Sequence, residues 1–477
     1  MSKKTVLAVD LGAESGRVMA VHFDGNRLSL EELHRFSNPI TTVNNTIQWD
    51  FLHLWREITA GIEKGKALKP ASIGVDTWGV DFGLLDVQGN LIGNPVNYRD
   101  SRTDGIQEKI FAKVTREEVF AQTGIQFIPI NTLYQMMSLV ESDSPHLQIA
   151  DTFLTAPDLL NYWLTGAKVC EFSNATTTQM FNPITGTWAT ELLDQLGVPT
   201  HILPEIIQPG TRLGEYEGIP VIAPACHDTG SAVAGVPTET EHFAYISSGT
   251  WSLVGLETDR PIINAAALEA NVTNEGGVYG TYRFLKNVMG LWIVQQCRDQ
   301  WAKEGDILSY AELTLMAEQA EPLRSIIEVN DPRLLPPGDH PEMIRTMCRE
   351  TGQPIPESKG QMIRCVLESL ALKYRDVLEK LLALSGKRAD VIHIVGGGTQ
   401  NGLLNQLTAD ATGIPVKTGP VEATVVGNAL VQLIALGEIK DLQEGRKLAN
   451  ESFEINLYEP QNNGIWNDAF AEYQKRT

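Results

Sequence analysis

An acidic residue ends the apolar run VLAVD near the start of the chain, and the turn LGAESGR follows it. A carboxylate at the end of a buried strand is costly unless a cation, hydrogen bonds or water compensate its charge. Asp10 therefore either binds something or caps its own turn, because an aspartate often accepts a hydrogen bond from the backbone two residues further on. For a D-x-G pattern alone, the capped turn is the better explanation.

Three glycine-rich segments could receive a phosphate or a nucleotide, namely GAESGR (12–17), SSGT (247–250) and GGGT (396–399). Backbone N–H groups exposed at such turns are suited to binding phosphate. None of the three is a Walker P-loop, since GIEKGKAL has the wrong spacing and no Ser or Thr after Lys66. A single glycine turn is usually only a turn, so their order along the chain carries more weight than any one of them.

The elements that must position these residues alternate between strands and helices. Apolar alternation over residues 6–23 predicts a β-hairpin, in which Gly12 and Gly16 supply turn conformations that other residues resist. Residues 358–385 predict the longest helix, and VIHIVGGG (391–398) predicts a strand that ends in three glycines before another helix. Strand and helix segments that alternate in this way are typical of an α/β protein.

A second hairpin pattern, AYISSGTWSLVGL, repeats the first one in the later part of the chain. The repetition predicts two related halves, with a boundary near residues 236–243. We therefore predict an N-terminal domain over residues 1–238 and a C-terminal domain over residues 239–477.

Composition restricts the partners of the chain. Its 477 residues suggest two large domains, and its formal charge of −21 argues against binding to nucleic acid or to anionic membranes. A small-molecule partner is expected instead, bound by a monomer or a small homo-oligomer. The chain has no predicted signal peptide or bilayer-length apolar run, and its five cysteines form no CxxC pair, which favours the cytoplasm. Spacing alone leaves open whether Cys348 and Cys365 pair.

A set of motifs in the chain resembles the FGGY carbohydrate kinases, within the superfold of actin, sugar kinases and the Hsp70 ATPase. The resemblance extends from residue 6 to about residue 430 and rests on WGVDF, YRDSRT, CHDTGSAVAG, SSGTWSL, NEGG, KNVMGLW, HIVGGGTQN and GPVEAT. It implies an α/β fold of two related actin/hexokinase-like (ribonuclease H-like) domains with a cleft between them. The N-terminal domain would carry the sugar side and the phosphate hairpin, and the C-terminal domain the nucleotide side.

The same resemblance implies roles for particular residues. Asp228 would be the general base, and Asp10 would hold Mg²⁺ through water, because Mg²⁺ gives up its water ligands reluctantly. The triphosphate would lie between these two aspartates. The implied ATP contacts are Ala13, Glu14, Ser15, Gly16, Arg17, Thr250, Gln295 and Gly397, and the implied sugar contacts are Gly79, His227, Asp228, Thr229 and Asn287.

Some of these residues also have simpler explanations. Asp228 could be an ordinary N-cap, since carboxylates are favourable at helix starts. Glu14 departs from the hydroxyl residues that the family favours, and an acid beside phosphates would repel them, so we expect its side chain to point away. Asn287 and Gln295 lie eight residues apart on one predicted helix, about 12 Å at helical rise, where they could equally be polar surface. Trp78 could offer a flat apolar face to a sugar.

The resemblance implies ATP-dependent phosphorylation of a ketose, and the expected reaction converts L-rhamnulose to L-rhamnulose 1-phosphate. L-Fuculose, L-ribulose and D-xylulose are alternative substrates, because sugar discrimination rests on a few hydrogen bonds. A nucleotide-switched interaction protein needs neither a base nor a sugar pocket, so HDT and DTWGVDF count against it. A catalytically dead sugar sensor is disfavoured because both Asp10 and Asp228 are present.

Overall fold

The computed structural model describes residues 3–461 and 463–476. The regular elements up to residue 239 are β1 (Lys4–Leu11), β2 (Ser15–Phe23), β3 (Leu28–Ser37), β4 (Ile40–Val43), β5 (Thr46–Trp49), α1 (Phe51–Gly65), β6 (Ile73–Thr77), β7 (Phe82–Leu85), α2 (Ile106–Phe111), α3 (Arg116–Thr123), α4 (Thr132–Glu141), α5 (Pro145–Ile149), β8 (Thr152–Thr155), α6 (Ala156–Thr165), β9 (Val169–Glu171), α7 (Phe172–Ala175), β10 (Phe181–Asn182), β11 (Thr187–Trp188), α8 (Thr190–Leu196), β12 (Glu205–Ile207), β13 (Arg212–Tyr216), β14 (Ile219–Ile222) and α9 (Asp228–Ala234).

The later elements continue the alternation of strands and helices. They are β15 (Phe243–Ser248), β16 (Trp251–Thr258), α10 (Ala265–Ala270), β17 (Thr273–Gly276), β18 (Tyr282–Met289), α11 (Trp292–Lys303), α12 (Tyr310–Glu318), α13 (His340–Glu350), α14 (Lys359–Ser385), β19 (Val391–Val395), α15 (Gly402–Thr412), β20 (Val416–Thr418), α16 (Ala423–Ala435), α17 (Leu442–Ser452), β21 (Asn456–Tyr458) and α18 (Asn463–Gln474).

The chain packs into two compact units that do not follow the sequence in one pass. The first unit contains the residues up to Glu239 together with Glu257–Phe284 and Ala423–Phe453. The second contains Thr240–Leu256, Leu285–Glu422 and the residues from Glu454 onward. The division of the sequence between residues 238 and 239 into two domains stays a prediction.

The first unit is built on a six-stranded sheet in the order β13-β14-β6-β1-β2-β3. Strand β1 pairs antiparallel with β2 and parallel with β6. Alternate residues of β1 point to opposite faces, so Leu7 and Val9 belong to the core under α1, whereas Val6 and Ala8 belong to the core under α16. Both faces of the central strand are therefore covered by helices, as expected for a buried strand in an α/β protein.

The second unit repeats the central part of this plan. Its sheet contains the strand order β16-β15-β19-β20-β21, in which β15 pairs antiparallel with β16 and parallel with β19. A hairpin followed by a parallel neighbour is also the arrangement of β2, β1 and β6. The repeated hairpin seen in the sequence thus corresponds to two related sheets, and α14 is the long helix predicted over residues 358–385.

The prediction that Gly12 and Gly16 supply unusual turn conformations is wrong. Neither Gly12 nor Gly16 has a positive φ. A Cβ at position 16 would come within 2.5 Å of the side chains of Leu11 and Phe36, so close packing requires this glycine.

The five cysteines are buried and reduced. Cys348 and Cys365 are neighbours that share a hydrogen bond between their thiols. This bond raises the pKa of Cys365 and lowers the pKa of Cys348. Among the described residues, no helix combines the length and apolar character that crossing a bilayer requires.

Candidate active site

Three acidic residues meet where three neighbouring strands of the first unit end. Asp10 lies on β1 directly beside Asp76 of the parallel strand β6. Thr77 at the end of β6 forms a parallel bridge with His227, and Asp228 then begins α9. Ligand sites in open α/β sheets commonly form at the carboxyl ends of the strands. The sheet order therefore brings together Asp10 and Asp228, which are 218 positions apart in the sequence.

The charge of Asp10 is compensated by an arginine on the opposite strand of the hairpin. Arg17 is the direct antiparallel partner of Asp10, and its Nε and Nη2 donate to Asp10 Oδ2 at 2.9 and 2.6 Å. Both side chains are largely buried, which strengthens the ion pair relative to one in water. The first glycine-rich turn therefore carries its own cation next to the acid.

Asp76 is a buried acid that the sequence did not single out. Its Oδ2 accepts a hydrogen bond from Asn428 Nδ2 at 2.5 Å, while its buried Oδ1 has no hydrogen-bond partner among the residues that the structure describes. Burial raises the pKa of Asp76, the charges of Asp10 and Asp228 add to the rise, and the bond from Asn428 opposes it. Asn428 lies on α16, 352 residues further along the chain, so local sequence patterns give no signal for this contact.

Asp228 is a buried carboxyl group whose pKa is raised. Its Oδ1 accepts hydrogen bonds from the backbone N–H and the hydroxyl of Thr229 at 2.5 and 3.1 Å. The Nε2 atom of His227 lies 3.4 Å from the same oxygen. Burial and the nearby charge of Asp10 raise the pKa of Asp228, while the Thr229 donors oppose the rise, as does the charge of His227 when its imidazole is protonated. A carboxylate whose pKa is raised toward neutrality accepts a proton more readily.

The turn between β1 and β2 keeps its acidic side chain in solvent. Glu14 and Ser15 are exposed, while Gly16 is buried and Arg17 is partly buried. Asn38, which the sequence analysis missed, holds the turn: its side-chain amide donates to the Gly12 carbonyl at 3.0 Å, and its backbone N–H donates to the Glu14 carbonyl at 2.9 Å. Glu14 is thus exposed, and the direction of its side chain relative to a phosphate stays a prediction.

The segment around Gly79 places a glycine near the surface and a tryptophan in the core. Gly79 is partly buried beside Thr177, and a Cβ added to it would meet that side chain at about 3 Å. Trp78 is buried, and its ring centroid lies 4.3 Å from that of Trp49. The indole of Trp78 therefore packs in the core, and its contact with a sugar stays a prediction.

Asp81 accepts hydrogen bonds from both of these indoles. The Nε1 atoms of Trp49 and Trp78 donate to its Oδ2 at 2.6 and 2.9 Å, and Gln135 donates to its Oδ1 at 3.1 Å. Burial raises the pKa of Asp81 to about 6 in spite of these donors. No cation forms a direct ion pair with it among the described residues.

In the second unit, the turn containing Thr250 is anchored by the start of α11. The backbone N–H groups of Gly290 and Trp292 donate to the Thr250 carbonyl, and that of Leu291 donates to the Gly249 carbonyl. A Cβ at position 290 would lie 2.7 Å from backbone atoms of this turn, so only glycine allows the approach. The turn is thereby fixed against the helix that carries Gln295.

Asn287 and Gln295 do not share a helix, and that prediction is wrong. Asn287 lies on strand β18, whereas Gln295 lies on α11, which begins at Trp292. The tight turn at Gly290 separates the two elements, and the apolar residues of LKNVM pair into a strand rather than a helical face. The expected 12 Å spacing along one helix therefore does not apply.

The three glycines after β19 have different environments. Gly396 has a φ of +83°, and a Cβ at Gly398 would overlap the Ser248 side chain. Gly397 between them is exposed, with no atom within 4 Å of an added Cβ. Two of the glycines thus pack against the end of β15, while Gly397 presents open backbone.

The donor set around Asp10 fits a Mg²⁺ ion that keeps most of its water ligands. Asp76 and Asp228 supply carboxylate oxygens, which Mg²⁺ prefers, while Arg17 already donates to Asp10 Oδ2. Within the described residues, the Asp76 Oδ1 atom is buried without a hydrogen-bond partner. Within residues 3–461 and 463–476, however, no three His, Cys, Asp or Glu side chains are close enough to ligate a metal directly. A hydrated ion beside Asp10 agrees with both observations.

Comparison with known proteins gives the family models and relatives of this chain. The model of the FGGY family of carbohydrate kinases, N-terminal domain, matches residues 5–233, and that of the C-terminal domain matches residues 244–436. A curated protein named rhamnulokinase from Bacteroides thetaiotaomicron is 44% identical, with 99% of each chain covered. Another of that name from Pectobacterium atrosepticum is 46% identical and covers 96% of this chain and 94% of its own.

Solved structures share the fold at low sequence identity. Ligand-bound xylulose kinase from Lactobacillus acidophilus has a TM-score of 0.81 at 17% identity, with 99% of this chain and 97% of that chain covered. Plasmodium falciparum glycerol kinase with ADP has a TM-score of 0.78 at 16% identity, with the same coverage. The two-domain α/β fold expected from the sequence is therefore confirmed.

Proposed function

Because the chain belongs to the FGGY family of carbohydrate kinases, we propose that it transfers the γ-phosphoryl group of ATP to the 1-hydroxyl of L-rhamnulose. The products are L-rhamnulose 1-phosphate and ADP. The observation that carries this proposal is the agreement of curated relatives from several bacteria, all named rhamnulokinase, at 42–46% identity over at least 95% of the chain. That the chain is a sugar kinase, as the sequence predicts, follows from its family, and an interaction protein switched by nucleotide is not favoured.

We assign the proton acceptor to Asp228, and specifically to its Oδ2. The other oxygen already accepts two hydrogen bonds from Thr229 and faces His227. The free Oδ2 takes the proton of the attacking hydroxyl as the oxygen adds in line to the γ-phosphorus, and ADP leaves. His227, Thr229, Gly79 and Asn287 are the proposed sugar contacts.

The nucleotide is proposed to bind through backbone donors rather than through a lysine-rich loop. Residues 13–17 would surround its phosphates, and the side chain of Arg17 supplies positive charge at the same turn. Thr250, Gln295 and Gly397 are the proposed contacts of the second unit. Asp10 would hold Mg²⁺ through water, and the bound cation would supply charge against the phosphate oxygens.

The remaining predictions accompany this proposal. We propose a cytoplasmic enzyme that acts as a monomer or a small homo-oligomer on ATP and a ketose, without nucleic acid or membrane as a partner. The formal charge of −21 supports the last point, because phosphate-rich surfaces are bound by an excess of Lys and Arg.

Release of ADP measured across a panel of ketoses tests the substrate. We expect rapid ADP formation with L-rhamnulose and much slower formation with L-fuculose, L-ribulose and D-xylulose. A preference for one of the other sugars would reassign the substrate within the family, and hydrolysis of ATP that ignores the sugar would contradict the kinase proposal.

Replacement of Asp228 by Asn tests the base. The variant keeps the size of the side chain but cannot accept the proton, so we expect kcat to fall by about 10²- to 10⁴-fold. Binding of ATP, measured by titration calorimetry, should change less than twofold because Asp228 is not a proposed nucleotide contact. Unchanged turnover would refute the assignment.

A further inference from the structure

His227 contacts a buried ion pair on its side away from Asp228. The Nδ1 atom of His227 lies 2.9 Å from Nη2 of Arg283, which is completely buried on β18. The same guanidinium donates from Nε to the Gly276 carbonyl at 2.9 Å and pairs through Nη1 with Glu275 at 3.1 Å. Arg283 therefore forms two hydrogen bonds, through Nε and Nη2, and an ion pair through Nη1 that has no hydrogen-bond geometry. The bond to Gly276 at the end of β17 orients the guanidinium.

The contact with Arg283 determines where His227 carries its proton. A guanidinium only donates hydrogen bonds, so the Nδ1 atom facing it at 2.9 Å must accept one and be unprotonated. Glu275 lies 3.4 Å from Nδ1, which is longer than an N–H···O hydrogen bond and does not compete. The single proton of the neutral imidazole is then on Nε2.

The position of that proton matters for Asp228. The Nε2–H group points toward Asp228 Oδ1, the oxygen that also accepts from Thr229. At 3.4 Å this contact is also longer than a hydrogen bond, so the N–H group acts on the carboxylate through its dipole. A proton on Nδ1 instead would turn a bare nitrogen lone pair toward the carboxylate. A proton on both nitrogens would place a full positive charge beside the base and weaken it.

We propose that Arg283 and Glu275 are positioning residues for the base: Arg283 holds His227 neutral with its proton on Nε2, and Glu275 holds Arg283. This inference rests on the proposed function, since it takes Asp228 as the proton acceptor. Neither residue touches the reacting atoms, and both act through His227. The motif NEGG and the arginine of YRF on the next strand thus serve the active site.

Nitrogen NMR of the histidine-labelled enzyme tests the protonation state directly, without any substrate. The His227 signals are identified by their loss in a His227→Gln variant. We expect a bare Nδ1 and a protonated Nε2 in the unmodified enzyme at pH 7. In Arg283→Met, the guanidinium that faces Nδ1 is removed and Glu275 remains 3.4 Å from that nitrogen, so we expect protonation at Nδ1. A protonated Nδ1 in the unmodified enzyme, or an unchanged pattern in the variant, would overturn the inference.

The kinetics of a double variant distinguishes a positioning role of Arg283 and Glu275 from the general cost of losing a buried charge. Removing Arg283 alone takes away the cation that pairs with Glu275 at 3.1 Å, so Glu275→Gln with Arg283→Met removes both charges of the ion pair. We expect kcat to fall about 10- to 100-fold, with KM for ATP within twofold. The matched control is Glu257→Gln with Arg446→Met, since this pair is also largely buried in the first unit and forms bonds of 2.9 and 3.0 Å. Equal losses of kcat in both double variants would show a merely structural role.

The NMR experiment and the ketose assay together separate this inference from the proposed function. An enzyme that phosphorylates none of the ketoses but has a bare Nδ1 would contradict the proposed substrate and leave the protonation of His227 as inferred. An active enzyme with a protonated Nδ1 would contradict only the positioning role.

Discussion

Buried carboxylates of the first unit are compensated by chemically different partners. Asp10 has the guanidinium of Arg17, Asp76 has the amide of Asn428, and Asp81 has two indole N–H groups. A cation compensates a full charge, whereas neutral donors compensate it only partly. This difference explains why burial dominates at Asp76 and Asp81, whose pKa values are raised.

Asp81 gives a prediction about pH and stability. Its pKa is raised by burial from 3.8 to about 6, so the folded state holds this proton more tightly than the unfolded state. The bound proton of Asp81 contributes to the free energy of unfolding below pH 4, and this contribution is lost as the pH rises through 6. For two pKa units the loss is about 3 kcal/mol. In the Asp81→Asn variant, the free energy of unfolding measured in urea should lack this pH-dependent contribution. The advantage of the unmodified protein over the variant should therefore shrink between pH 4 and pH 7, and parallel pH profiles would show that Asp81 stays ionised.

At the scale of elements, helix α16, late in the sequence, packs against the strands that carry Asp10 and Asp76. Its Asn428 and Gln432, one turn apart, bond to Asp76, to the Leu7 carbonyl and to Ser72. The helix reaches this position because its Gly427 lies against the backbone of α9. A Cβ at position 427 would lie 1.8 Å from the Ser231 carbonyl oxygen.

The crossing of α9 and α16 therefore predicts a large effect for a single methyl group. In Gly427→Ala the added carbon meets backbone rather than a flexible side chain, so the helices must separate. We expect a loss of about 3 kcal/mol or more in the free energy of unfolding. The control is Gly464→Ala on α18, where nothing lies within 4 Å of the new carbon and a gain of up to about 1 kcal/mol is expected. A small effect at position 427, measured by thermal unfolding, would show that the two helices can move apart.

At the scale of the whole molecule, the parts that the sequence predicted are those with local signals. The hairpin of β1 and β2, the strand before GGGT and the helix α14 follow from apolar periodicity and appear as expected. Asn287 was misplaced because KNVMGLW looks equally apolar as a strand or a helix, and only the packing of Gly290 ends the strand.

The residues that bond to the site residues could not be predicted from local patterns in the sequence. Arg283 bonds to a histidine 56 positions away, and Asn428 to an acid 352 positions away. A polar residue inside an apolar segment looks the same in sequence whether it faces solvent or a buried carboxylate. Contacts that depend on the order of strands in a sheet therefore require the structure.

The net charge of the molecule gives a prediction about ATP. A formal charge of −21 repels the nucleotide at long range, while the proposed site attracts it through short contacts such as Arg17, which lies partly buried. Salt screens the long-range repulsion, with a Debye length of about 10 Å at 0.1 M, but affects buried contacts much less. We expect KM for ATP to fall about two- to threefold as KCl rises from about 10 to 200 mM at fixed free Mg²⁺. KM for the neutral sugar, measured in the same assays, should not change because it carries no charge for the field to act on. A KM for ATP that rises with salt would mean that local positive charge dominates the approach of the nucleotide, and that the acidic surface has no part in it.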